Sequence, residues 1–219
     1  SRDYTSFICS RGQFRFTKLP FGFSNGPALY SRLLQKLLTH IDSPNVLGYL
    51  DDLILHTIDK ISMLKTLDRT LAAHAEFGLK INPAKSVIFQ TEVIYLGHLC
   101  SQEGVRMVPK YRKILEDWKQ PNTQADLKNF IGKISYYRRF LTKDFSRIKA
   151  PLDTLKATKK LTFVMNRKEV ESFEGLKGLV TRQDKGGPLA YPDFSKNAKP
   201  FTTDSDFSSF GLGWELSQE

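Results

Sequence analysis

An α+β fold is predicted for this chain of 219 residues, on three observations. Short apolar runs, several with a two-residue period and bounded by Gly or Pro, recur up to the Glu103-Gly104 turn. From Pro109 the apolar spacing lengthens to the three-to-four period of helices. Strand-like runs then return after a Gly186-Gly187-Pro188 break.

The elements follow in order. Phe7, Cys9, Phe14 and Phe16 alternate within residues 1–18, a hairpin turning near Ser10-Arg11-Gly12. Residues 19–26 are a Pro/Gly-rich loop. Pro27 suits the first helical position, with Asn25 or Gly26 near the cap, and Leu29, Leu33, Leu37 and Ile41 share a face. Residues 45–56 read as two short buried strands with a tight turn between them. Leu64, Leu67, Leu71 and Ala75 mark an amphipathic helix that Gly78 ends. Residues 79–81 and 87–89 read as short strands flanking Asn82-Pro83, and residues 92–100 as one hairpin arm turning at Glu103-Gly104. Residues 110–118 are helical, and Pro121-Asn122 breaks that helix. Thr123-x-x-Asp126 caps the next one, whose inner face is Leu127, Phe130, Ile131, Ile134 and Tyr137. Pro151 opens a short basic helix, residues 161–165 look extended, and residues 168–180 are helical with Val170, Phe173, Leu176 and Val180 inward. Residues 200–216 form a strand pair with a Gly211-x-Gly213 turn.

Charge is unevenly spread. Residues 105–160 hold 15 Lys or Arg against 5 Asp or Glu, a net of +10, which equals the net charge of the whole chain. A concentrated positive field suits a polyphosphate partner, and the interleaved Tyr111, Trp118, Tyr136, Tyr137 and Phe140 point towards nucleic acid. Solvated helix faces are the plain alternative. Cys9 and Cys100 have neither metal-ligand spacing nor a disulfide framework, which favours a reducing interior. No apolar run is long enough to span a bilayer and no signal-peptide pattern is present, so no membrane partner is expected. The chain opens on Ser1 in a polar stretch and is expected to be a piece of something longer.

Two adjacent acids, Asp51 and Asp52, sit inside an apolar run from Val46 to Leu55. Burying like charges side by side is costly, and a divalent cation removes that cost. Hard oxygen ligands suit Mg²⁺, and paired metals suit phosphoryl transfer. The pattern implies metal-dependent nucleotidyl transfer, with a surface Asp-Asp turn as the plain alternative.

Further motifs carry a resemblance. Leu19-Pro20-Phe21-Gly22-Phe23-Ser24-Asn25-Gly26-Pro27-Ala28, Tyr49-Leu50-Asp51-Asp52, Gly78-Leu79-Lys80-Ile81-Asn82-x-x-Lys85 and Tyr95-Leu96-Gly97-His98 occur in that order. Together they resemble the reverse transcriptase of long-terminal-repeat retrotransposons, closest to the Ty3/gypsy group of Pol polyproteins. Gly132 with Tyr136-Tyr137-Arg138-Arg139-Phe140 looks like that group's thumb. Thr203-Asp204-Ser205 with Gly211-Leu212-Gly213 looks like the start of its ribonuclease H domain.

The resemblance implies a right-hand polymerase: fingers and palm over residues 1–104, thumb over 105–150, a connection over 151–200 and the first ribonuclease H strands over 201–219. It implies an RNA-directed DNA polymerase using two Mg²⁺ ions, with Mn²⁺ as a substitute. The partners would be an RNA or DNA template with primer, deoxynucleoside triphosphates and the rest of the Pol polyprotein, in a cytoplasmic particle or the nucleus.

Residue by residue, Asp51 would be the more direct metal ligand and Asp52 its support. Tyr49 would lie against the primer end, or pack under the turn. Phe21, Gly22 and Phe23 would bound the nucleotide pocket, or the two rings would be core. Lys85 would protonate the leaving pyrophosphate, or be a solvated loop lysine. Leu96, Gly97 and His98 would grip the primer, with a satisfied structural histidine as the alternative for His98. Arg138, Arg139 and Lys143 would contact phosphates. Asp204 would be the first ribonuclease H metal ligand, or a turn aspartate.

Departures from the pattern matter too. A third polymerase aspartate is expected upstream of Ser1 and the remaining ribonuclease H acids beyond Glu219, so the fragment is expected to be inactive alone. Trp214-Glu215 replaces the small apolar pair usual after Gly-x-Gly. A non-catalytic nucleic-acid-binding relic or a structural subunit derived from such an element is the competing reading.

Overall fold

The computed structural model describes residues 2–142, 144–158, 163–182, 188–194, 197–208 and 211–218. Helices and strands are mixed throughout, as the α+β expectation required, and they cluster into two compact units, Ser1–Gln90 and Thr91–Glu219.

The first unit opens with a hairpin of β1 (Ser6–Cys9) and β2 (Gly12–Arg15), where Phe7 stacks with Phe14 across the ladder. After the loop comes α1 (Gly26–Ile41), with Asn25 at its cap and Pro27 in its first turn. Then follow β3 (Val46–Tyr49), β4 (Asp52–Leu55) and α2 (Lys60–Glu76). The Asp59 carboxylate starts α2 by accepting from the Ser62 amide at 2.9 Å and the Ser62 hydroxyl at 2.7 Å. Leu34, Leu37, Ile41, Val46 and Ala73 form the core of this unit.

The expected face holds for the C-terminal half of α1, where Leu37 and Ile41 are buried, and fails for its first half and for α2. In α1 the buried positions are Leu34, Leu37 and Ile41, while Leu29 is exposed and Leu33 half-buried. In α2 the buried positions are Thr66, Thr70, Ala73 and His74, while Leu64, Leu71 and Ala75 are exposed. Thr70 and His74 satisfy their polar atoms on carbonyls one turn back, Thr66 at 2.7 Å and Thr70 at 2.7 Å, so burying them costs little. Residues 79–81 and 87–89 form no strands, because no ladder partner lies beside them. The segment between them holds only a short 3₁₀ turn, Pro83–Lys85.

The second unit begins with an antiparallel meander of β5 (Glu92–Tyr95), β6 (His98–Ser101) and β7 (Gly104–Met107). Residues 92–100 are therefore two strands and a turn, not one arm. Four helices follow: α3 (Pro109–Glu116), α4 (Gln124–Tyr136), α5 (Phe145–Ala157) and α6 (Arg167–Arg182). The capping box at α4 forms as expected, with the Asp126 amide donating to Thr123 Oγ1 at 3.1 Å. All five residues of its expected inner face are buried. Phe130 meets Phe173 of α6 with ring centroids 4.7 Å apart, and each ring is fully buried. Such burial stabilises by roughly 2–3 kcal/mol per ring.

Pro151 lies inside α5 instead of opening it. Its ring removes one backbone donor, and the buried Phe145, Leu152 and Leu155 on either side hold the helix together across that gap. The last pair is β8 (Thr202–Ser208) with β9 (Gly211–Ser217), and Gly211 opens β9 in register with Ser208, so Gly211 and Gly213 lie in the strand and not in the turn. Lys143, Gly186-Gly187 and residues 161–162 lie outside the described residues.

Leu189 extends the meander by exchanging both backbone hydrogen bonds with Val105, each 2.9 Å. Gly104 makes this approach feasible. Its φ is +130°, and a Cβ there would sit 2.2 Å from the Leu189 carbonyl oxygen. Gly104→Ala is expected to destabilise the chain by about 2–3 kcal/mol, read as a lower denaturant midpoint. An unchanged midpoint would show that the Leu189 bridge contributes nothing.

Candidate functional site

Asp51 and Asp52 end the β3–β4 hairpin. Tyr49 pairs with Asp52 in register, and the turn is Leu50-Asp51, with Leu50 in the left-handed region at φ 49°. The strands are not buried as expected. Tyr49, Asp51 and Asp52 are exposed, and only Val46 is fully buried. Exposure, not a buried counter-ion, spares the acids the desolvation cost. Neither acid has an ion pair among the described residues, so their oxygens are free to take a cation.

α1 seats this hairpin. Gly48 lets it approach, since a Cβ there would lie 2.9 Å from Leu53 Cδ2 and 3.1 Å from the Leu34 methyls. Ser31, Leu34, Gln35 and Leu38 of α1 line a shallow pocket with Gly48, Tyr49 and Leu50. Mg²⁺ commonly takes one or two carboxylates and completes its shell with water and substrate oxygens, and this pair fits that pattern. No group of three His, Cys, Asp or Glu converges anywhere among the described residues.

The other expected residues of this unit lie on exposed segments. Phe21 is 106% exposed, which rules out a core role for it, and Phe23 stands at 37%. Gly22 has φ +87° in the turn between them. Lys85 ends the 3₁₀ turn, is exposed, and forms no ion pair among the described residues. Asn82 holds that turn by accepting from the Ala84 amide at 3.1 Å.

In the second unit, Leu96 and Gly97 form a two-residue turn between β5 and β6, with φ of 47° and 72°. His98 follows, 8% exposed. Its ring stacks on Tyr136 at 5.1 Å, meets the edge of Tyr137 at 5.7 Å and lies 5.5 Å from Phe140. Nδ1 of His98 is buried with no hydrogen-bond partner. Burial, and then the positive charge of Arg139, lower the His98 pKa below its ordinary 6.5. Tyr136 and Tyr137 reach the same turn through their hydroxyls, which donate to the carbonyls of Leu96 and Gly97. Sequence reading placed these tyrosines among the interleaved aromatics and in the thumb-like motif, with Tyr137 on the inner face of α4, but not against the Leu96-Gly97 turn, because a contact spanning 40 residues leaves no local pattern.

Arg138 and Arg139 stand exposed in the 3₁₀ turn Arg138–Phe140 and form no ion pair among the described residues. Four acids of the basic segment are engaged with other cations: Glu116 with Arg112, Asp117 with Lys113, Asp144 with Arg147 and Asp153 with Lys149. Asp204 is exposed on β8, opposite Glu215 in register.

Residues 1–100 match the family described as reverse transcriptase (RNA-dependent DNA polymerase). The chain is 30% identical over its full length to the retrovirus-related Pol polyprotein from transposon gypsy of Drosophila melanogaster. It is 29% identical over 98% of its length to that from transposon opus of the same species. It spans about a fifth of these relatives, 21% and 22%. A foamy viral protease–reverse transcriptase solved with double-stranded DNA superposes with a TM-score of 0.79 at 25% identity, over 98% of this chain and 36% of that one.

The lowered His98 pKa has a defined sign. The folded state favours the neutral ring, so its contribution is whole above pH 6.5 and is lost as pH falls through the lowered folded value. Thermal midpoints are expected to drop as pH falls below 6.5, and His98→Gln to flatten that drop. A wild-type curve that is flat over the same interval contradicts the burial of a neutral imidazole.

Proposed function

We propose that this chain, whose residues 1–100 match the reverse transcriptase family and which is similar over its whole length to Ty3/gypsy-type Pol polyproteins, carries RNA-directed DNA polymerase chemistry. The observation that carries this reading is the Asp51-Asp52 pair at a hairpin tip, exposed and unpaired by Lys or Arg among the described residues, within the segment that matches the family.

In this reading, Asp51 as the more direct ligand and Asp52 as its support would contribute carboxylates to a Mg²⁺ site, and the bound metal would supply charge stabilisation to phosphoryl transfer. Tyr49 rests against the primer end. Phe21, Gly22 and Phe23 bound the space for the incoming deoxynucleoside triphosphate, with Gly22 free of side-chain bulk. Lys85 delivers a proton to the departing pyrophosphate oxygen. The Leu96-Gly97-His98 turn grips the primer. Arg138, Arg139 and Lys143 bind template–primer phosphates, giving affinity without sequence preference. Asp204 is the first acid of an adjoining ribonuclease H region. Catalysis would come from positioning and charge, with no covalent intermediate on the protein.

Primer extension on an RNA template by the polymerase of the parent Pol reading frame tests the assignment. Asp51→Asn with Asp52→Asn is expected to lower the rate by about a thousandfold, the equivalent of roughly 4 kcal/mol of transition-state stabilisation. Full extension by that variant would end the polymerase reading, and duplex binding by a wild type without extension would favour the non-catalytic relic. Arg138→Ala with Arg139→Ala is expected to weaken duplex binding equally across sequences. It should also reduce the slope of log K against log salt by about 2. A loss confined to particular sequences would reassign the two arginines.

A further inference from the structure

We infer that Tyr136 and Tyr137 are positioning residues that clamp the Leu96-Gly97 turn to the end of α4, and so fix the primer grip. This rests on the polymerase reading above. The turn is a two-residue loop whose first residue, a leucine, takes a left-handed conformation at φ 47° that β-carbon sterics disfavour. Contacts from outside the loop would offset that cost.

Two consecutive hydroxyls do so. Tyr136 Oη donates to the Leu96 carbonyl, and Tyr137 Oη donates to the Gly97 carbonyl at 3.1 Å. Both rings close over Gly97: a Cβ there would be in ordinary contact, 3.6 Å from Tyr136 Cε1 and 3.7 Å from each hydroxyl oxygen, so the φ of +72°, and not lack of space, is what favours glycine.

The clamp is anchored at one end and stacked at the other. Tyr137 is 6% exposed and continues the buried α4 face of Leu127, Phe130, Ile131 and Ile134. Its burial pushes the phenol pKa up to about 12, so the hydroxyl remains a donor at every working pH. Tyr136 lies parallel to His98, within 3°. The residue after the turn is thus held by the same helix end that holds the turn's carbonyls. A loop fixed at two carbonyls and one ring keeps a bound strand end in one place, and in-line attack needs that accuracy.

The test has two arms, and Tyr→Phe removes only the hydroxyls while the rings stay. The first arm measures amide hydrogen exchange on the chain itself. Tyr136→Phe with Tyr137→Phe is expected to speed exchange at Leu96, Gly97 and His98 by about tenfold, leaving the α4 amides unchanged. If the double variant does not fold, Tyr136→Phe alone, at an exposed position, is expected to show a smaller change in the same amides. Unchanged exchange overturns the clamp.

The second arm measures primer extension by the parent polymerase with an RNA template, a DNA primer and deoxynucleoside triphosphates. The expected split is a kcat, normalised to the folded fraction of enzyme, lower by at least about tenfold with an unchanged KM for template–primer; loss of overall stability would lower the folded fraction and leave the normalised kcat unchanged. Faster exchange with unaltered kcat overturns the positioning role. A wild type that extends no primer overturns the polymerase reading itself, and that result is visible before any variant is made.

Discussion

Two negative charges on consecutive residues repel, and the β3–β4 hairpin is shaped by that repulsion. In water, carboxylates about 6 Å apart oppose each other by under ~1 kcal/mol, and at an interior dielectric of about 20 by several times more. The hairpin keeps the cost low by leaving both acids in solvent while Val46 and the Leu34 contact seat its base. A fully buried hairpin would gain apolar area but would strip both carboxylates of water. Exposure leaves their oxygens accessible to a cation.

The second unit solves a different problem with one helix. α4 buries a continuous apolar face and then, at its C-terminal end, turns two tyrosine hydroxyls towards a β-turn. Packing supplies the rigidity and the hydroxyls export it to a loop. His98 completes the contact as a neutral ring, since a charged imidazole would be desolvated there beside Arg139. Packing and the proposed function therefore share the same few residues.

How much of this was legible in the sequence depends on where each signal resides. α4 was readable throughout because a local capping box and a single unambiguous stripe agree. α1 was read correctly at Leu37 and Ile41 but not at Leu33, because Leu33 and Leu34 are both leucine and the tertiary contact with Gly48 selects Leu34. α2 was misread because a threonine and a histidine can be buried once their polar atoms bond within the helix. Residues 79–81 and 87–89 have strand composition, but a strand exists only with a neighbour. The Leu96-Gly97 turn escaped periodicity, since leucine is not a turn residue, and motif likeness alone pointed to it. In the same way the Asp-Asp pair was visible as chemistry, while its exposure was not.

The charge surplus of residues 105–160 acquires meaning only from pairing. Acids spaced three or four residues from a basic partner on the same helix cancel locally, as Glu116, Asp117, Asp144 and Asp153 do. The remaining excess concentrates on cations outside those pairs. Arg138 and Arg139 are two of them, projecting from a short turn whose neighbours Tyr137 and Phe140 are locked in the core. Exposed guanidinium groups on a rigid base lose little entropy on meeting phosphates, whereas the same charges on a frayed segment would lose much of that advantage. The fixed base under the arginines, more than their number, is what makes the basic segment suited to a duplex backbone.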